Sequence, residues 1–343
     1  MVGISLFAGA NSAKGFYSFY RFLNRDDYQK VFILKGGPGT GKSTLLRELA
    51  RQVETRHPVD RYFCSADENS LDGIFIHRLN IAVVDGTAPH VLEPRLPGAV
   101  HQIVDLGACW DDRALHRHRK EIQTLKKEIT AHYQIAYQWL ALAARQKELM
   151  QATERPGIIY SQAATDAAAI IDRLPSQGTG GRRKAFASAI TGTGLVSFLH
   201  QLQEKAPVRV YLQGDNRAYN DYVLKAIAQV LEKRRISALY LYCALQPEYL
   251  EHIFIPGAIA VITVHSLHDL EIQGEVFGPP EPDNSALAAQ IKSSLQQATA
   301  ALFQARQRHF ELETLYTPHM DFDCANMLRQ QILERILEME KTR

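Results

Sequence analysis

The strongest constraint on this 343-residue chain is that it carries one plan twice. LFAGANSAKGFYSF (6–19) aligns with AFASAITGTGLVSF (185–198). Phe7 then falls on Phe186, Gly15 on Gly194 and Phe19 on Phe198, each pair 179 residues apart. Farther on, VFILKGGPG (31–39) matches RVYLQGDNR (209–217), FCSADENSLDGIFI (63–76) matches YCALQPEYLEHIFI (242–255), and NIAVVDGTAPH (80–90) matches AIAVITVHSLH (258–268). Matched blocks in the same order at a nearly constant offset indicate an internal duplication.

Each copy has a short glycine-bearing lead-in, a strand (31–35; 210–213), a loop and a helix. A second strand (61–65; 238–244) and a third (81–85; 259–263) follow. The strands are apolar on nearly every residue, as expected of strands covered on both faces. Strands alternating with helices predict an α/β fold with a parallel sheet in each copy. Each copy ends in long helix. Ile122, Leu125, Ile129, His132, Ala136, Trp139 and Ala143 form one apolar stripe, and Leu287, Ile291, Ser294, Ala298, Ala301 and Ala305 another. Such stripes are read as packing seams. The glycine-rich stretch 175–181 separates the copies, so two modules are expected at 1–175 and 182–343, each with its helical extension. The basic triplet Arg182, Arg183 and Lys184 after it is read as a solvated linker end.

The first copy contains a glycine loop with a specific chemistry. Lys35-Gly36-Gly37-Pro38-Gly39-Thr40-Gly41-Lys42-Ser43-Thr44 lies between an apolar strand and a run of good helix formers. G-x-x-x-x-G-K-S in that setting is the P-loop pattern. Glycines allow the tight turn, and successive backbone N–H groups with the helix N-terminus make a concave anion site. Lys42 is expected on the β- and γ-phosphates, the Ser43 hydroxyl on Mg²⁺, and Thr44 near the α-phosphate. Asp85, at the end of the apolar strand 81–85, is the candidate second metal anchor, in the Walker-B setting. Asp67 and Glu68 follow the second strand, where ligands meet open α/β sheets. Either orients a water or accepts a proton, or else caps the segment 70–74. Asp72 is less well placed. His90, closing D-G-T-A-P-H, is a candidate γ-phosphate contact or a structural histidine, and Thr87 carries the same ambiguity.

The second copy has lost these groups. In the loop 214–221, Asn220 aligns with Lys42 and Asp221 with Ser43, while Thr263 aligns with Asp85. Asp215 and Asp221 would repel phosphate. One nucleotide site is therefore expected, with Arg217 as a speculative arginine finger.

Four features together resemble a little-characterised family of bacterial tandem P-loop ATPases: G-P-G-T-G-K-S-T (37–44), C-S-x-D-x-x-S-L-D-G (64–73), D-G-T-A-P-H (85–90) and M-D-F (320–322). The likeness runs through nearly the whole chain. It implies two P-loop modules and ATP binding, and assigns no physiological substrate. The family's second module often keeps a P-loop, and this sequence departs there.

Three functions fit the loop. A Mg-dependent ATPase acting from the single N-terminal site leads; a small-molecule or nucleotide kinase and a non-catalytic nucleotide-responsive binding module are the alternatives. ATP is preferred to GTP because no guanine signature is evident, and an unidentified protein or small-molecule partner has room in each case. The near-neutral balance, +2 overall, provides no global field for nucleic acid. No run approaches the length that spans a bilayer. Cys64, Cys109, Cys243 and Cys324 are widely spaced with no C-x-x-C, so neither a zinc site nor a disulfide is expected, and the cytoplasm is the expected compartment.

Overall fold

The computed structural model describes residues 3–151, 156–178, 180–213, 216–264, 271–279 and 285–342. The first copy comprises β1 (Ser5–Phe7), β2 (Gly9–Ser12), β3 (Gly15–Ser18), β4 (Lys30–Lys35), α1 (Lys42–Val53), β5 (Val59–Phe63), β6 (Leu71–Ile76), β7 (Ile81–Asp85), β8 (His101–Asp105), α2 (Asp112–Arg117), α3 (Arg119–Gln151) and α4 (Pro156–Ile171). The second comprises β9 (Arg182–Ala185), β10 (Ser188–Thr191), β11 (Gly194–Ser197), α5 (Leu199–Glu204), β12 (Val208–Gln213), α6 (Arg217–Lys233), β13 (Ala238–Tyr242), β14 (Leu250–Ile255), β15 (Ile259–Val264), β16 (Glu275–Phe277), α7 (Ser285–Tyr316) and α8 (Phe322–Lys341).

The strands make two six-stranded sheets of the same order, β1-β5-β6-β7-β4-β8 and β9-β13-β14-β15-β12-β16. The correspondence extends to register. Leu34 pairs with Asp85 as Leu212 pairs with Thr263, and both β5–β6 and β13–β14 shift register, at Tyr62/Phe63 and at Leu241/Tyr242. The sequence-based equivalence of Thr263 with Asp85 therefore holds in three dimensions.

The sheets are mixed, and the expected all-parallel arrangement is corrected. β6 runs against both β5 and β7, and β14 against both β13 and β15. The connections explain this. Residues 64–70 and 77–80 are too few for a parallel crossover, which takes roughly a dozen or more. Asn80 turns the chain with φ 57°, and Gly257 does the same in the second copy with φ 73°. The segment 70–74, read as capped by a loop acid, is covered strand from Leu71 onward, and Asp67 accepts from the Ser70 hydroxyl just before it.

The chain forms two compact units, and they are interleaved rather than sequential. Residues 1–9, 18–136 and 299–343 make one; residues 10–17 and 137–298 make the other. They do not follow the division at 175–182. In the first unit, α1 and α8 pack onto a core containing Phe32, Leu34, Leu46, Leu49, Val83, Leu106, Ile332 and Ile336. Burial of apolar area on this scale is what holds the sheet's loop-bearing edge in place. In the second unit, Asn11 donates from its side-chain amide to the Ile190 carbonyl at 3.0 Å, joining the hairpins β2–β3 and β10–β11 at equivalent positions 179 residues apart. The α7 stripe is largely buried, at Ile291, Ser294, Ala298, Ala301 and Ala305, whereas of the α3 stripe only Ala136 and Ala143 are buried and Ile122, Leu125, Ile129, His132 and Trp139 are partly exposed. No helix among the described residues is long and apolar enough to cross a membrane.

Candidate functional site

The site begins with the glycine loop between β4 and α1. Gly39 and Gly41 hold φ of 69° and 78°, values that only glycine adopts at low cost. Gly41 is the residue before α1, and its carbonyl accepts from the Leu45 amide at 2.9 Å. Thr40 is buried and its hydroxyl donates to the Gly37 carbonyl at 2.9 Å. The Lys42 ammonium donates to the carbonyls of Gly36 at 2.6 Å and Gly37 at 2.8 Å, so the cation is held over its own loop.

Because β4 and β7 are parallel neighbours, the end of β7 comes beside the start of that loop. Asp85 is the last residue of β7. Its Oδ2 lies 3.7 Å from Lys42 Nζ. Its Oδ1 accepts from the Thr87 amide at 2.9 Å and the Thr87 hydroxyl at 2.6 Å. Thr87 thus orients the carboxylate. Gly86 is required next, since a Cβ there would run into Ile33. Burial pushes the Asp85 carboxyl up, and the charges of Lys42 and His90 only partly offset this.

Ser43 follows. Its Oγ accepts from the Leu71 amide at 2.9 Å, which ties the head of α1 to β6. The next residue on β6 is Asp72, and the structure gives it a larger place than its sequence position suggests. Tyr20 donates its hydroxyl to Asp72 Oδ2 at 2.5 Å, and His90 Nε2 lies 3.5 Å from the same oxygen. The Tyr20 and His90 rings stack with centroids 4.0 Å apart. Burial alone would raise the Asp72 carboxyl, yet the hydrogen bond and charge of His90, with Tyr20 and Cys64, hold it below the usual range. For His90, burial opposes the charged form, and Asp72 and then Asp85 outweigh it, raising the imidazole's pKa. Burial followed by Asp72 drives the Cys64 thiol well upward. Asp72, Asp85 and His90 each offer a ligand atom, all within 4.8 Å of one another.

Asp67 and Glu68 take a different position. Arg306, on α7, donates to Asp67 Oδ1 at 2.6 Å and to Glu68 Oε1 at 3.1 Å. Asp67 Oδ2 also accepts from the Ser70 hydroxyl at 2.6 Å. Both acids are thus engaged in an ion cluster and a turn. Nothing in the sequence flagged Arg306, which lies 239 residues from Asp67.

The C-terminal segment completes the walls of the loop. A Cβ on Gly37 would lie 2.9 Å from Trp110 Cη2, one on Gly39 would lie 2.8 Å from Thr317 Oγ1, and one on Gly41 would lie 3.7 Å from Phe322 Cε1. The Asp111 amide donates to the His319 carbonyl and the Asp321 amide to the Cys109 carbonyl, each at 2.9 Å. Cys109 and Cys324 form a disulfide, with Cα atoms 5.8 Å apart. This corrects the expectation of four free thiols; only Cys64 and Cys243 are free. A sequence separation of 215 concealed the pair. A cavity of about 440 Å³ is lined by residues 108–111, 318–321 and Cys324.

The second copy differs in the loop as well as the residues. α6 starts at Arg217, capped by the Asn216 side chain, which accepts from the Tyr219 amide at 3.0 Å. Only residues 214–216 separate β12 from α6, whereas 36–41 separate β4 from α1. Asn220 and Asp221 therefore lie inside the helix, and the alignment of Asn220 with Lys42 is corrected by this shorter loop. Gly214 and Asp215 lie outside the described residues. Thr263 donates its hydroxyl to the Glu251 carbonyl at 2.6 Å. The Arg217 guanidinium sits over the Tyr249 ring, 3.1 Å from its centroid, within the second unit.

No protein-family model matches the chain, and comparison with curated proteins and with solved structures finds no match.

Proposed function

We propose that the first copy binds Mg-ATP on residues Gly36, Gly37, Pro38, Gly39, Thr40, Gly41, Lys42, Ser43 and Thr44 and hydrolyses it there, the second copy having no equivalent site. The observation that carries this reading is Lys42 facing Asp85 across 3.7 Å at the mouth of a glycine loop. A lone ion pair would not need a loop whose glycines hold left-handed backbone. In this reading Lys42 leaves its loop carbonyls for the β- and γ-phosphate oxygens, where a point charge offsets the negative charge of the triphosphate. The backbone N–H groups of the loop and the first turn of α1 receive the remaining oxygens.

The donor set suits a hard divalent cation. The Ser43 hydroxyl and the Asp85 carboxylate supply oxygen, and Thr87 fixes the Asp85 oxygen not facing Lys42. Bound Mg²⁺ would supply charge neutralisation between the phosphates. In hydrolysis, water oxygen bonds to the γ-phosphorus, the bond from that phosphorus to the bridging oxygen breaks, and ADP, phosphate and a proton leave. Asp72 and His90 are positioning residues here: they set the charge and orientation around Asp85. Asp67 and Glu68, bound to Arg306, hold the loop after β5 and the C-terminal helices together.

The test is phosphate release from Mg-ATP by the full chain, compared with Lys42→Ala and accompanied by a nucleotide titration. Release that disappears in the variant supports the reading. Tight ATP binding with release at background would replace hydrolysis by a nucleotide-responsive binding role. Release that depends on an added acceptor would replace it by a kinase. No affinity for any nucleotide would reject all three.

A further inference from the structure

The segment Met320-Asp321-Phe322 stands out in the sequence, and nothing in the phosphate chemistry uses it. Its position relative to the glycine loop gives it a role. Phe322 is 45% exposed although it is a large apolar side chain, and its Cε1 would lie 3.7 Å from a Cβ placed on Gly41, where the loop passes into α1. An exposed aromatic side chain there leaves apolar surface in water at the helix end of the loop, the end where Thr44 is expected near the α-phosphate. Trp110 presses its ring edge on Gly37 and pairs with Tyr316, centroids 5.4 Å apart, so aromatic rings stand at both ends of the loop, with Thr317 between them at Gly39. The indole N–H of Trp110 is buried with no acceptor among the described residues.

The wall is also rigid. Asp321 Oδ1 accepts from the amides of Asp323 and Cys324, both at 3.0 Å, and so caps α8 immediately before Phe322. The Cys109–Cys324 disulfide and the two main-chain hydrogen bonds beside it fix the same turn. A fixed backbone turn that carries a partly exposed aromatic side chain suits stacking, because the mount needs little further ordering on binding.

We propose that Phe322 is the stacking platform for the purine base of the nucleotide whose phosphates occupy the glycine loop, with the M-D-F turn as its rigid mount. The proposal rests on the reading of that loop as a triphosphate cradle. It makes the C-terminal segment a specificity determinant of the N-terminal site, and gives the covalent link between Cys109 and Cys324 a purpose.

Equilibrium titrations of the full chain in Mg²⁺ with ATP, UTP and inorganic tripolyphosphate separate the two ideas. Wild type is expected to bind ATP more tightly than UTP, since a purine offers the larger stacking face. Phe322→Ala is expected to lose affinity for ATP by roughly tenfold to a hundredfold, the range for one base on one aromatic ring, and to keep its affinity for tripolyphosphate. Phe322→Trp is expected to restore ATP binding. Lys42→Ala is expected to lose both ligands. Unchanged ATP affinity in Phe322→Ala, or equal losses for ATP and tripolyphosphate, overturns the platform while leaving the cradle standing. Wild type that binds none of the three overturns both. Circular dichroism of Phe322→Ala guards the comparison, and a misfolded variant hands the decision to Phe322→Leu, which keeps apolar bulk and removes the ring.

Discussion

Arg306 and Asp67 meet at 2.6 Å although 239 residues separate them. The same guanidinium reaches Glu68, its side chain is 14% exposed, and those of the two acids are about as well covered. One cation thus neutralises two carboxylates in a poorly hydrated place. Removing it leaves both charges uncompensated, which costs more than the pair itself contributes. Arg306→Ala is expected to lower unfolding stability by about 2–3 kcal/mol. Arg306→Lys should recover only part, because an ammonium cannot span both acids as the planar fork does. Denaturant unfolding of the three proteins checks this. A loss below about 0.5 kcal/mol would place the cluster among ordinary solvated surface pairs.

Asp85 carries a prediction that separates function from stability. Burial already disfavours its charged form, so a neutral isostere is tolerated by the fold. Asp85→Asn should unfold within about 1 kcal/mol of wild type. Its phosphate release should nevertheless fall by roughly a hundredfold or more, as for loss of one preorganised electrostatic group. Melting curves and a release assay on the same preparation read both. Full release by the variant would remove Asp85 from the proposed site.

The Asp72–His90 pair fixes a sign for pH dependence. The raised imidazole pKa of His90 means that the folded state binds its proton more tightly than the unfolded chain does. That contribution is complete below the ordinary imidazole value of about 6.5 and is lost as pH rises through the higher folded value. The carboxyl of Asp72 moves the other way, so its contribution is present above about pH 4 and lost on acidification through its lower folded value. The stability gap between wild type and His90→Gln should therefore be widest in the mildly acidic window between those ordinary values and narrow on the alkaline side. Thermal melts across that range measure it. A gap that widens with rising pH would contradict the sign.

The disulfide makes a chemical and a thermodynamic prediction. Denatured, unreduced protein should titrate two thiols, those of Cys64 and Cys243, and reduced protein all four. Cys109→Ser should lower unfolding stability by roughly 2–4 kcal/mol, since the bridge closes a very long loop of the unfolded chain. Four thiols before reduction would mean that the bond is not formed in solution.

Much of the fold was legible in the sequence because it depends on short-range pattern. Apolar runs placed β4, β7 and β15 nearly to the residue, and the heptad stripe placed the covered face of α7, while that of α3 matched only at Ala136 and Ala143. The duplication was visible because equivalent residues recur at one offset, and the two sheets carry it through strand order and register. β6 and β14 were missed: LDGIFI and LEHIFI follow turn-rich residues, and the antiparallel direction is imposed by short connections rather than by residue type. The shortened loop before α6 was missed because alignment by matched blocks conceals where a helix starts.

The glycine loop, Lys42, Ser43 and the strand-end Asp85 were determined by the sequence alone, since backbone freedom and strand periodicity are local properties. Only the tertiary structure brought Asp72 and Tyr20 to His90, Arg306 to Asp67 and Glu68, Cys324 to Cys109, and Phe322 to the end of the loop. Those contacts join segments as much as 281 residues apart, the separation of Phe322 from Gly41. Burial and sheet order create them, and no periodicity in a linear chain encodes which distant side chains a packed core will force together.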